Sequence, residues 1–431
     1  MTQLDDLPPT SRARRLAKAG RIAEAAAIVA DLLKDAFAIA PANVRIGVDA
    51  YSLNSLNGTF EAGGQPLFFK FHEEENEAAM AGEYYRVQLL AEAGFPVDVP
   101  LHVSAAPGRQ ILVYRRRDDR RFADVLRDLD QTQDAAGVTA AIAAETELNR
   151  QLMAIYERTL HPISTDQSAA EPIHRLFHER LTDPGGSGRP GGRLAAFYIG
   201  KTFDLPGMSL GWDELSALQV QLNGVTYRHT LGALFAEALV RLRPDRLEGG
   251  GVTAHGDAHN ANVWYEARAG RSPRLALFDP AFAGSHVPAL LAEVKTTFHN
   301  VFAHPLWLYE PEDATRRFRI EVQRDAGRLV VDTDWRPGPL REALLASKVT
   351  HVWRPLLRLL REKKLLADDW RRVVRLALFL CPTLVMSLRA ADGRHTPQTS
   401  ALGLAVAVMM GSEPVAGHDL VTDLLDAITP A

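Results

Sequence analysis

The sequence predicts an α+β fold of two lobes, a small β-rich amino-terminal lobe and a large, mainly helical carboxy-terminal lobe. Short apolar runs with alternating periodicity and glycine turns are concentrated in residues 43–115. From residue 116 onward, apolar residues recur mostly at helical spacing. A chain of 431 residues is also longer than one typical hydrophobic core requires, which favours two lobes.

The amino-terminal part begins with a predicted helical extension, residues 1–42, in which residues 10–39 have helical periodicity. The lobe that follows is predicted to consist of strands joined by tight turns, with a hairpin at Gly63–Gly64 and one helix that ends at Gly94. The predicted segments are strands at 44–48, 59–62, 67–71, 97–102 and 110–114 and a helix at 73–92.

The carboxy-terminal lobe, residues 116–431, is predicted to be helical apart from hairpins, with an insertion at about residues 165–250. Residues 183–192 are rich in glycine and proline, which predicts a flexible, exposed, linker-like segment. The predicted elements are helices at 140–160, 171–181 and 230–242, a hairpin at 318–333, and about four helices between 340 and 428.

The composition limits the class of protein. Hydrophobic residues make up 46% and charged residues 24% of the chain, as is usual for globular proteins in water. The net charge of −4 argues against binding of nucleic acid through a general excess of basic residues. The single cysteine, Cys381, excludes an intrachain disulfide and a multi-cysteine zinc site. Because neither a signal-peptide pattern nor a bilayer-spanning apolar run is visible, we predict a cytoplasmic protein without a membrane partner.

The strongest functional signal is the segment His255–Asn262, which is followed by a second segment, Phe278–Pro280. Asn262 stands five residues after Asp257, and Asp279 follows a predicted hairpin. In phosphoryl transfer from Mg-ATP, one carboxylate accepts the proton of the acceptor hydroxyl, while an amide oxygen and a second carboxylate hold Mg²⁺. The spacing therefore predicts Asp257 as the catalytic residue, Asn262 and Asp279 as ligands of Mg²⁺, and ATP as the co-substrate.

A site of this kind also requires a lysine on a strand and an acidic residue on the next helix. Lys70 lies between Phe69 and Phe71, where a lysine costs free energy unless it meets an anion. The following helix carries several glutamates, of which Glu83 lies nearly three turns from the start. We therefore predict that Lys70 neutralises the nucleotide phosphates and that Glu83 holds it, with Glu77 as the second choice.

These residues resemble the aminoglycoside phosphotransferase and choline kinase superfamily of small-molecule kinases, which share the protein-kinase fold. The segment His255–Asn262 resembles the catalytic loop of that family, in which glycine stands where protein kinases have arginine. Residues 83–97 resemble its early helix and strand entry, and residues 262–279 resemble its metal-binding hairpin. The resemblance covers about residues 43–300 and implies a two-lobed, protein-kinase-like fold.

The nucleotide contacts follow from the strand positions and the resemblance. The residues that we expect to offer backbone groups to the phosphates or to adenine are Ser55, Asn57, Gly58, Val113, Tyr114 and Arg115. The chain departs from the family's pattern twice, because it has no Gly-x-Gly-x-x-Gly loop and no second aspartate soon after Asp279. Glu293 is predicted to take a structural role in place of that aspartate.

Several histidines and a lysine accompany the motif. His255 is predicted to hold the catalytic loop rather than to react. His259, Lys295 and His299 have two interpretations: they are core and capping groups, or they are polar groups that line the pocket of the acceptor.

The function predicted from these observations is transfer of the γ-phosphate of ATP to a hydroxyl of a small metabolite, with a sugar or related polyol favoured. The insertion holds nine Lys/Arg and ten Asp/Glu, without the acidic bias that a polycationic acceptor would need. An aminoglycoside-type antibiotic kinase remains the alternative, because the tail after Arg394 is acidic. A non-catalytic, kinase-like nucleotide sensor is the alternative from another class. A protein kinase is disfavoured by Gly256 and by the lack of Ala-Pro-Glu after Asp279.

Overall fold

The computed structural model describes residues 7–47, 55–72, 86–104, 106–132, 134–185, 188–304 and 306–430. The chain divides into two compact units. The first unit comprises residues 1–92, 96–119 and 277–281, and the second comprises residues 93–95, 120–276 and 282–431. The first unit is built on a β-sheet and the second is mainly helical, so the predicted α+β organisation is confirmed.

The first unit begins with two helices, α1 (Pro9–Lys18) and α2 (Ile22–Phe37). The helical structure expected within residues 10–39 is confirmed as two helices, and the chain turns between them at Gly20, whose φ of 75° is left-handed. Leu16 and Leu33 on these helices belong to one hydrophobic core with Phe69 of the sheet. The two helices therefore share a core with the strands that follow them.

The sheet of the first unit is antiparallel, and its five strands have the order β1-β2-β3-β5-β4. Its strands are β1 (Ala42–Ile46), β2 (Ser55–Ala62), β3 (Gln65–His72), β4 (His102–Ser104) and β5 (Ile111–Arg115), and a helix, α3, is described over residues 86–93. The hairpin at Gly63–Gly64 is confirmed, since both glycines have positive φ between β2 and β3. The strand expected at 97–102 is wrong apart from its last residue. Pro96 and Pro100 lack the N–H groups that a sheet ladder needs, and Val97 forms one isolated bridge to Leu277.

The second unit contains four small sheets and most of the helices. Its strands are β6 (Arg120–Arg121), β7 (His161–Ile163), β8 (Thr202–Leu205), β9 (Met208–Gly211), β10 (Gln219–Leu222), β11 (Val225–Thr226), β12 (Gly249–Ala254), β13 (Val263–Glu266), β14 (Arg274–Leu277), β15 (Gly284–Pro288), β16 (Ile320–Asp325) and β17 (Arg328–Thr333). Its helices are α4 (Phe122–Thr132), α5 (Ala135–Thr159), α6 (Thr165–Ala169), α7 (Gly192–Phe197), α8 (Trp212–Ala217), α9 (Leu231–Arg241), α10 (Val294–Thr297), α11 (Pro311–Arg317), α12 (Pro339–Lys348), α13 (Arg354–Glu362), α14 (Trp370–Val385), α15 (Pro397–Gly411) and α16 (Leu420–Ile428). Leu277, the last residue of β14, belongs to the first unit.

The sheets of the second unit carry the predicted catalytic segments. Strand β12 lies between β15 and β7 and leads directly into His255, while β13 pairs with β6 and β14 after the loop. The hairpin of β16 and β17 is confirmed, but β17 also pairs in parallel with β10, more than a hundred residues earlier. A long-range pairing of this kind leaves no local signal in the sequence.

Of two expectations about residues 165–250, the helix is wrong, whereas the glycine-rich segment is exposed as expected at residues 184, 185 and 188–190. The helix at 171–181 is replaced by two 3₁₀ turns, Pro172–Leu176 and His178–Arg180, because the backbone breaks at Phe177 with φ −123° and ψ −93°. The linker-like segment 183–192 is a loop closed on itself: Asp183 N–H donates to the Arg189 carbonyl, and Gly191 N–H donates to the Leu181 carbonyl. Residues 186 and 187 lie outside the described part of this loop.

The helical core of the second unit is centred on α14 and α15, which pack against each other. Every residue of α15 from Thr399 to Gly411 is buried. Helices α12 and α13 are joined through a π-helical turn, Val349–Trp353, and a second π-helical turn, Phe298–Phe302, extends α10. Residues 340–428 thus contain five α-helices, of which two are continuous, where about four were expected.

Candidate functional site

The predicted catalytic loop has a backbone that only glycine fits at its second position. Gly256 has φ 79°, and a Cβ placed there would lie 2.6 Å from the carbonyl oxygen of Phe282. The loop then forms a 3₁₀ turn, Asn260–Asn262, which His259 caps by accepting the Ala261 N–H at 3.3 Å. The Asn300 side-chain oxygen accepts the Asn260 N–H at 2.9 Å, which ties the loop to the π-helical turn after α10.

Asp257 is held so that one carboxylate oxygen is left without a hydrogen bond. Its backbone N–H donates to the His255 Nδ1, and its backbone carbonyl accepts the Asn262 Nδ2 at 2.9 Å. Its Oδ1 is buried and accepts no hydrogen bond from any described residue. The His259 Nε2 lies 3.9 Å away and the Lys295 Nζ lies 4.0 Å away. A buried oxygen without a donor is costly, so this atom is suited to receive one from a bound molecule.

Lys295 and His299 form a buried pair beside Asp257. The Lys295 Nζ donates to the His299 Nε2 at 2.7 Å, and the His299 Nδ1 is hydrogen-bonded to the Tyr309 hydroxyl. Burial lowers the pKa of Lys295, while the charge of Asp257 raises it. Burial and the neighbouring Lys295 together hold the pKa of His299 well below its ordinary value, so His299 is a neutral acceptor for the lysine.

The structure brings together all three residues for which an acceptor role was considered. His259 and Lys295 each approach the Asp257 Oδ1, and the rings of His259 and His299 are 5.3 Å apart. Lys295 and His299 are both buried in the core, and Lys295 also lies 4.0 Å from the predicted catalytic carboxylate. Their contact with an acceptor stays a prediction.

In the first unit, Lys70 on β3 forms an ion pair with Asp279, with 2.8 Å between Nζ and Oδ1. Asp279 has a left-handed backbone, with φ 59°, which is uncommon for a residue other than glycine. Strained backbone of this kind is concentrated at functional sites. The sequence motif that selected Lys70 and Asp279 therefore identified two residues that are in contact across 209 positions of the chain.

The predicted nucleotide-binding residues lie on two strands of the same sheet. Asn57 and Gly58 are within β2, opposite Lys70 and Phe69 on β3. The identity of Gly58 has a packing explanation, since a Cβ there would lie 2.1 Å from the Arg45 carbonyl oxygen and 2.6 Å from the Phe69 ring. Their contacts with phosphate stay predictions. Ser55 begins β2, and the residues before it, 48–54, lie outside the described part of the chain.

Strand β5 contains the residues predicted to contact adenine. Val113 is buried, and its carbonyl accepts the Leu101 N–H at 2.7 Å, so that oxygen is already used within the sheet. Tyr114 and Arg115 follow at the end of the strand, opposite Phe68 and Leu67 on β3. The predicted partner of Lys70, Glu83, and the second choice, Glu77, lie outside the described residues.

Glu293 has a structural position. It is buried and accepts hydrogen bonds from the Lys348 Nζ at 2.9 Å, from the Thr296 hydroxyl at 2.8 Å and from the Tyr156 hydroxyl. Burial and the charge of Glu293 raise the pKa of Tyr156 well above its ordinary value. This network joins α5, the start of α10 and α12.

Arg180, which lies near the predicted catalytic aspartate, and its neighbour Arg193 were missed from the sequence. Arg180 and Arg193 flank the closed loop, and the charge of Asp257 raises the pKa of Arg180, although burial lowers that pKa overall to about 10. The available signal was the glycine-rich segment between them, because a short segment that folds back brings its flanks together.

The acidic residues of the tail form ion pairs with arginines of α14: Glu413 pairs with Arg372, and Asp426 pairs with Arg371.

A resident metal site made of protein side chains alone is absent from the described residues, which contain no group of three or more His, Cys, Asp and Glu able to hold an ion. Mg²⁺ in phosphoryl-transfer enzymes commonly relies on one or two protein ligands together with substrate phosphates. Asn262 is suited to be one such protein ligand through its side-chain oxygen, since its Nδ2 is hydrogen-bonded to the Asp257 carbonyl. The exposed carboxylate of Asp279 is suited to be another.

No helix in the described ranges has the length and apolar character to cross a bilayer.

The chain matches no family model and no curated protein. Solved structures similar to it include an aminoglycoside phosphotransferase, APH(4)-Ia, in ternary complex with AMP-PNP and hygromycin B, at 14% identity and a TM-score of 0.42; 89% of this chain and 98% of that chain are covered. A spectinomycin phosphotransferase with ADP and spectinomycin has 12% identity, a TM-score of 0.35 and coverage of 88% and 98%. A microcompartment-associated aminopropanol kinase has 13% identity, a TM-score of 0.38 and coverage of 86% and 90%. All three are named phosphotransferases or kinases, and all three TM-scores are below 0.5.

Proposed function

We propose that this protein transfers the γ-phosphate of ATP to a hydroxyl group of a small molecule. The observation that carries the proposal is the Asp257 Oδ1, a buried carboxylate oxygen that accepts no hydrogen bond from the described residues. An acceptor hydroxyl would satisfy that oxygen and would be oriented by the same contact.

In the proposed reaction, the oxygen of the acceptor hydroxyl attacks the γ-phosphorus. A new oxygen–phosphorus bond forms, the bond from the γ-phosphorus to the β–γ bridging oxygen breaks, and ADP leaves with that electron pair. Asp257 takes the hydroxyl proton on its free oxygen. The transition state of such transfers is loose, so positioning and charge stabilisation provide most of the rate enhancement.

The other residues are assigned roles in binding and orientation. Lys70 would neutralise the phosphates of the nucleotide, and Glu83 would hold Lys70 in place. Asn262, through its side-chain oxygen, and Asp279 would hold Mg²⁺, which supplies positive charge to the phosphate oxygens. The ion pair between Lys70 and Asp279 supports this assignment, because it brings a cation suited to phosphate next to a carboxylate suited to Mg²⁺.

The test is an Asp257→Asn variant, which keeps the size of the side chain and removes its basicity. We expect kcat for ADP release to fall by about 10²–10⁴-fold, since that is the usual contribution of a general base, while the affinity for ATP measured by calorimetry stays within about twofold. Asp368→Asn, at an exposed position between α13 and α14, serves as a control for charge removal and should keep kcat. Unchanged turnover in Asp257→Asn would contradict the assignment.

The same measurements separate a kinase from a nucleotide sensor. Wild-type protein is incubated with Mg-ATP and sugars, polyols, amino alcohols or aminoglycosides, and ADP release is recorded. Tight ATP binding without acceptor-dependent ADP release from any of these classes would favour the sensor.

A further inference from the structure

Two arginines that are thirteen positions apart are brought together by the closed loop. Arg180 ends the second 3₁₀ turn, and Arg193 lies in the first turn of α7. Between them, Thr182 forms a bridge to Pro190, and the glycines at the end of the loop permit its close return. A Cβ at Gly191 would lie 2.4 Å from the Asp183 backbone nitrogen. We refer to Arg180 and Arg193 as the arginine pair.

Both guanidinium groups point to the carboxy-terminal end of α14. The Arg180 Nη1 donates to the Leu384 carbonyl at 3.4 Å, and the Arg193 Nη1 donates to the same carbonyl at 2.8 Å and to the Val385 carbonyl at 2.9 Å. Neither forms an ion pair with a carboxylate within the described ranges, in contrast to the arginines elsewhere on α14. Burial lowers the pKa of both arginines, as expected for cations withdrawn from water.

Helix α10, which carries Lys295, packs against α14, and the carboxy-terminal end of α14 accepts the hydrogen bonds of both arginines. The charge of Asp257 raises the pKa of Arg180 and of Lys295, while the charge of Arg193 lowers both. Cys381, one turn before Leu384 on α14, acts on the same two cations, but burial raises its own pKa to about 12, so it is a neutral thiol. Lys295 and the arginine pair are thus three neighbouring cations, and Asp257 is the carboxylate that acts on Lys295 and on Arg180.

The end of α14 does not balance these cations. A helix carboxy terminus carries about half of a negative charge, whereas the arginine pair carries two positive charges. The Asp257 carboxylate is the nearest counter-charge of Lys295, at 4.0 Å. Partly buried cations without full compensation are costly unless a ligand supplies the missing anion.

We propose that the acceptor carries an anionic group, a carboxylate or a phosphate, which the arginine pair binds while Asp257 contacts its hydroxyl. This inference rests on the proposed function and specifies its substrate class. It replaces the neutral sugar or polyol favoured from the sequence, and it disfavours a polycationic aminoglycoside, which the three cations would repel. Planar guanidinium groups suit such a ligand, because each can donate two parallel hydrogen bonds to a carboxylate or phosphate.

The same chemistry has a second source, the phosphoryl group during transfer. If the arginine pair bound the phosphoryl group, replacing an arginine would change the KM of ATP. If the arginine pair binds the acceptor, the replacement changes the KM of the acceptor alone. An arginine variant therefore distinguishes the two possibilities by which of the two KM values it changes.

The experiment uses acceptors that share hydroxyls and differ in charge. One series is glycerol, D-glycerate, sn-glycerol 3-phosphate and serinol; the other is glucose, glucuronate, glucose 6-phosphate and glucosamine. For full-length protein, kcat/KM from ADP release is measured at constant ionic strength, and acceptor binding is measured by calorimetry with a non-hydrolysable ATP analogue present. We expect an anionic member to exceed its neutral and cationic counterparts at least tenfold in one series.

The variants Arg180→Gln and Arg193→Gln should each raise the KM of that anionic acceptor about tenfold or more and leave the KM of ATP within twofold. Arg193→Lys should restore part of the affinity, and Arg175→Gln, a change at an exposed arginine on the neighbouring turn, should have no effect. Thermal melting of each variant distinguishes lost binding from lost folding.

Two results would overturn the inference: wild-type protein that binds no anionic member better than its neutral counterpart, or arginine variants that raise the KM of ATP instead. Arginine-dependent binding of an anion without any phosphoryl transfer would instead overturn the proposed function, and with it the role of that anion as an acceptor.

Discussion

At the residue scale, the predicted catalytic loop has two notable features, one glycine with a left-handed backbone and one carboxylate oxygen without a hydrogen bond. Gly256 allows a left-handed turn against the Phe282 carbonyl, and this turn delivers Asp257 with its Oδ1 buried and its backbone anchored at both ends. The same position carries arginine in the protein-kinase motif, so the local backbone gives a physical reason for the glycine found here. The predicted proton acceptor, Asp257, and the sterically constrained glycine, Gly256, are thus adjacent residues.

A Gly256→Ala variant should be destabilised for two reasons. The alanine must adopt a left-handed φ, which costs about 1–2 kcal/mol, and its Cβ would also meet a backbone oxygen, so we expect a total loss of more than about 3 kcal/mol. The measurement is the free energy of unfolding from urea titration. Gly270→Ala is the matched control: its φ of 72° is similar, but nothing lies within 4 Å of a Cβ there. Equal losses in the two variants would show that the Phe282 contact is unimportant.

At the element scale, buried charge links the helices around the site. Glu293 precedes α10, which carries Lys295, and it receives Lys348 from α12 and Tyr156 from α5. The sequence predicted a structural role for Glu293 because no aspartate occupies the usual position after Asp279. The hydrogen bonds of Glu293 explain this structural role, since its one carboxylate accepts from three donors on three different segments of the chain.

Removing the charge of Glu293 should be costly because it leaves Lys348 buried and unpaired. We expect Glu293→Gln to lose about 3–5 kcal/mol in the free energy of unfolding, and the double variant Glu293→Gln with Lys348→Met to recover part of that loss. The control is Glu147→Gln, whose partner Arg150 is exposed, and which should change stability by less than about 1 kcal/mol. A double variant that is less stable than Glu293→Gln alone would contradict this explanation.

The elements also mark how far sequence reasoning reaches. The spacing of Asp257 and Asn262 placed them in one loop, where they are in contact, and the position of Lys70 between two phenylalanines required an anion, which Asp279 provides. The functional roles of these residues stay predictions. Arg180 and Arg193 could not be identified, because their proximity depends on the way in which the intervening loop closes. Strand β10 was missed for a similar reason, since its parallel partner β17 is remote in sequence.

At the scale of the whole molecule, net charge and local charge differ in sign. The chain carries 53 acidic and 49 basic residues, and the insertion that holds the arginine pair is nearly balanced. The acidic residues of the tail are nevertheless paired with arginines of α14, while the arginine pair is left without carboxylate partners among the described residues. A charge count over a segment therefore does not report the field at a site within it.

The whole molecule should lose stability in mild acid because two buried histidines resist protonation. Burial lowers the pKa of His174 and of His395 to about 4 from an ordinary value of 6.5. Between these values the unfolded chain binds protons that the folded chain does not, so stability is full above about pH 6.5 and falls as the pH decreases towards 4. At pH 5 each histidine accounts for a loss of about 2 kcal/mol.

The measurement is the urea midpoint of unfolding at pH 7.5 and at pH 5. His174→Gln and His395→Gln should each reduce the difference between the two midpoints, whereas His418→Gln, at an exposed position, should not. A difference that stays the same in both buried-histidine variants would assign the acid sensitivity to other groups.

The closed loop between Arg180 and Arg193 separates two properties that many active sites combine. The residues assigned to phosphoryl transfer lie on β3, on the catalytic loop and after β14, whereas the arginine pair is carried by one short, contiguous segment of the chain. Replacing that segment, or changing its length, would alter the charge preference for the acceptor without touching the transfer chemistry. On the proposed assignments, selectivity could diversify, or be redesigned, by exchanging a single loop while the residues assigned to phosphoryl transfer stay unchanged.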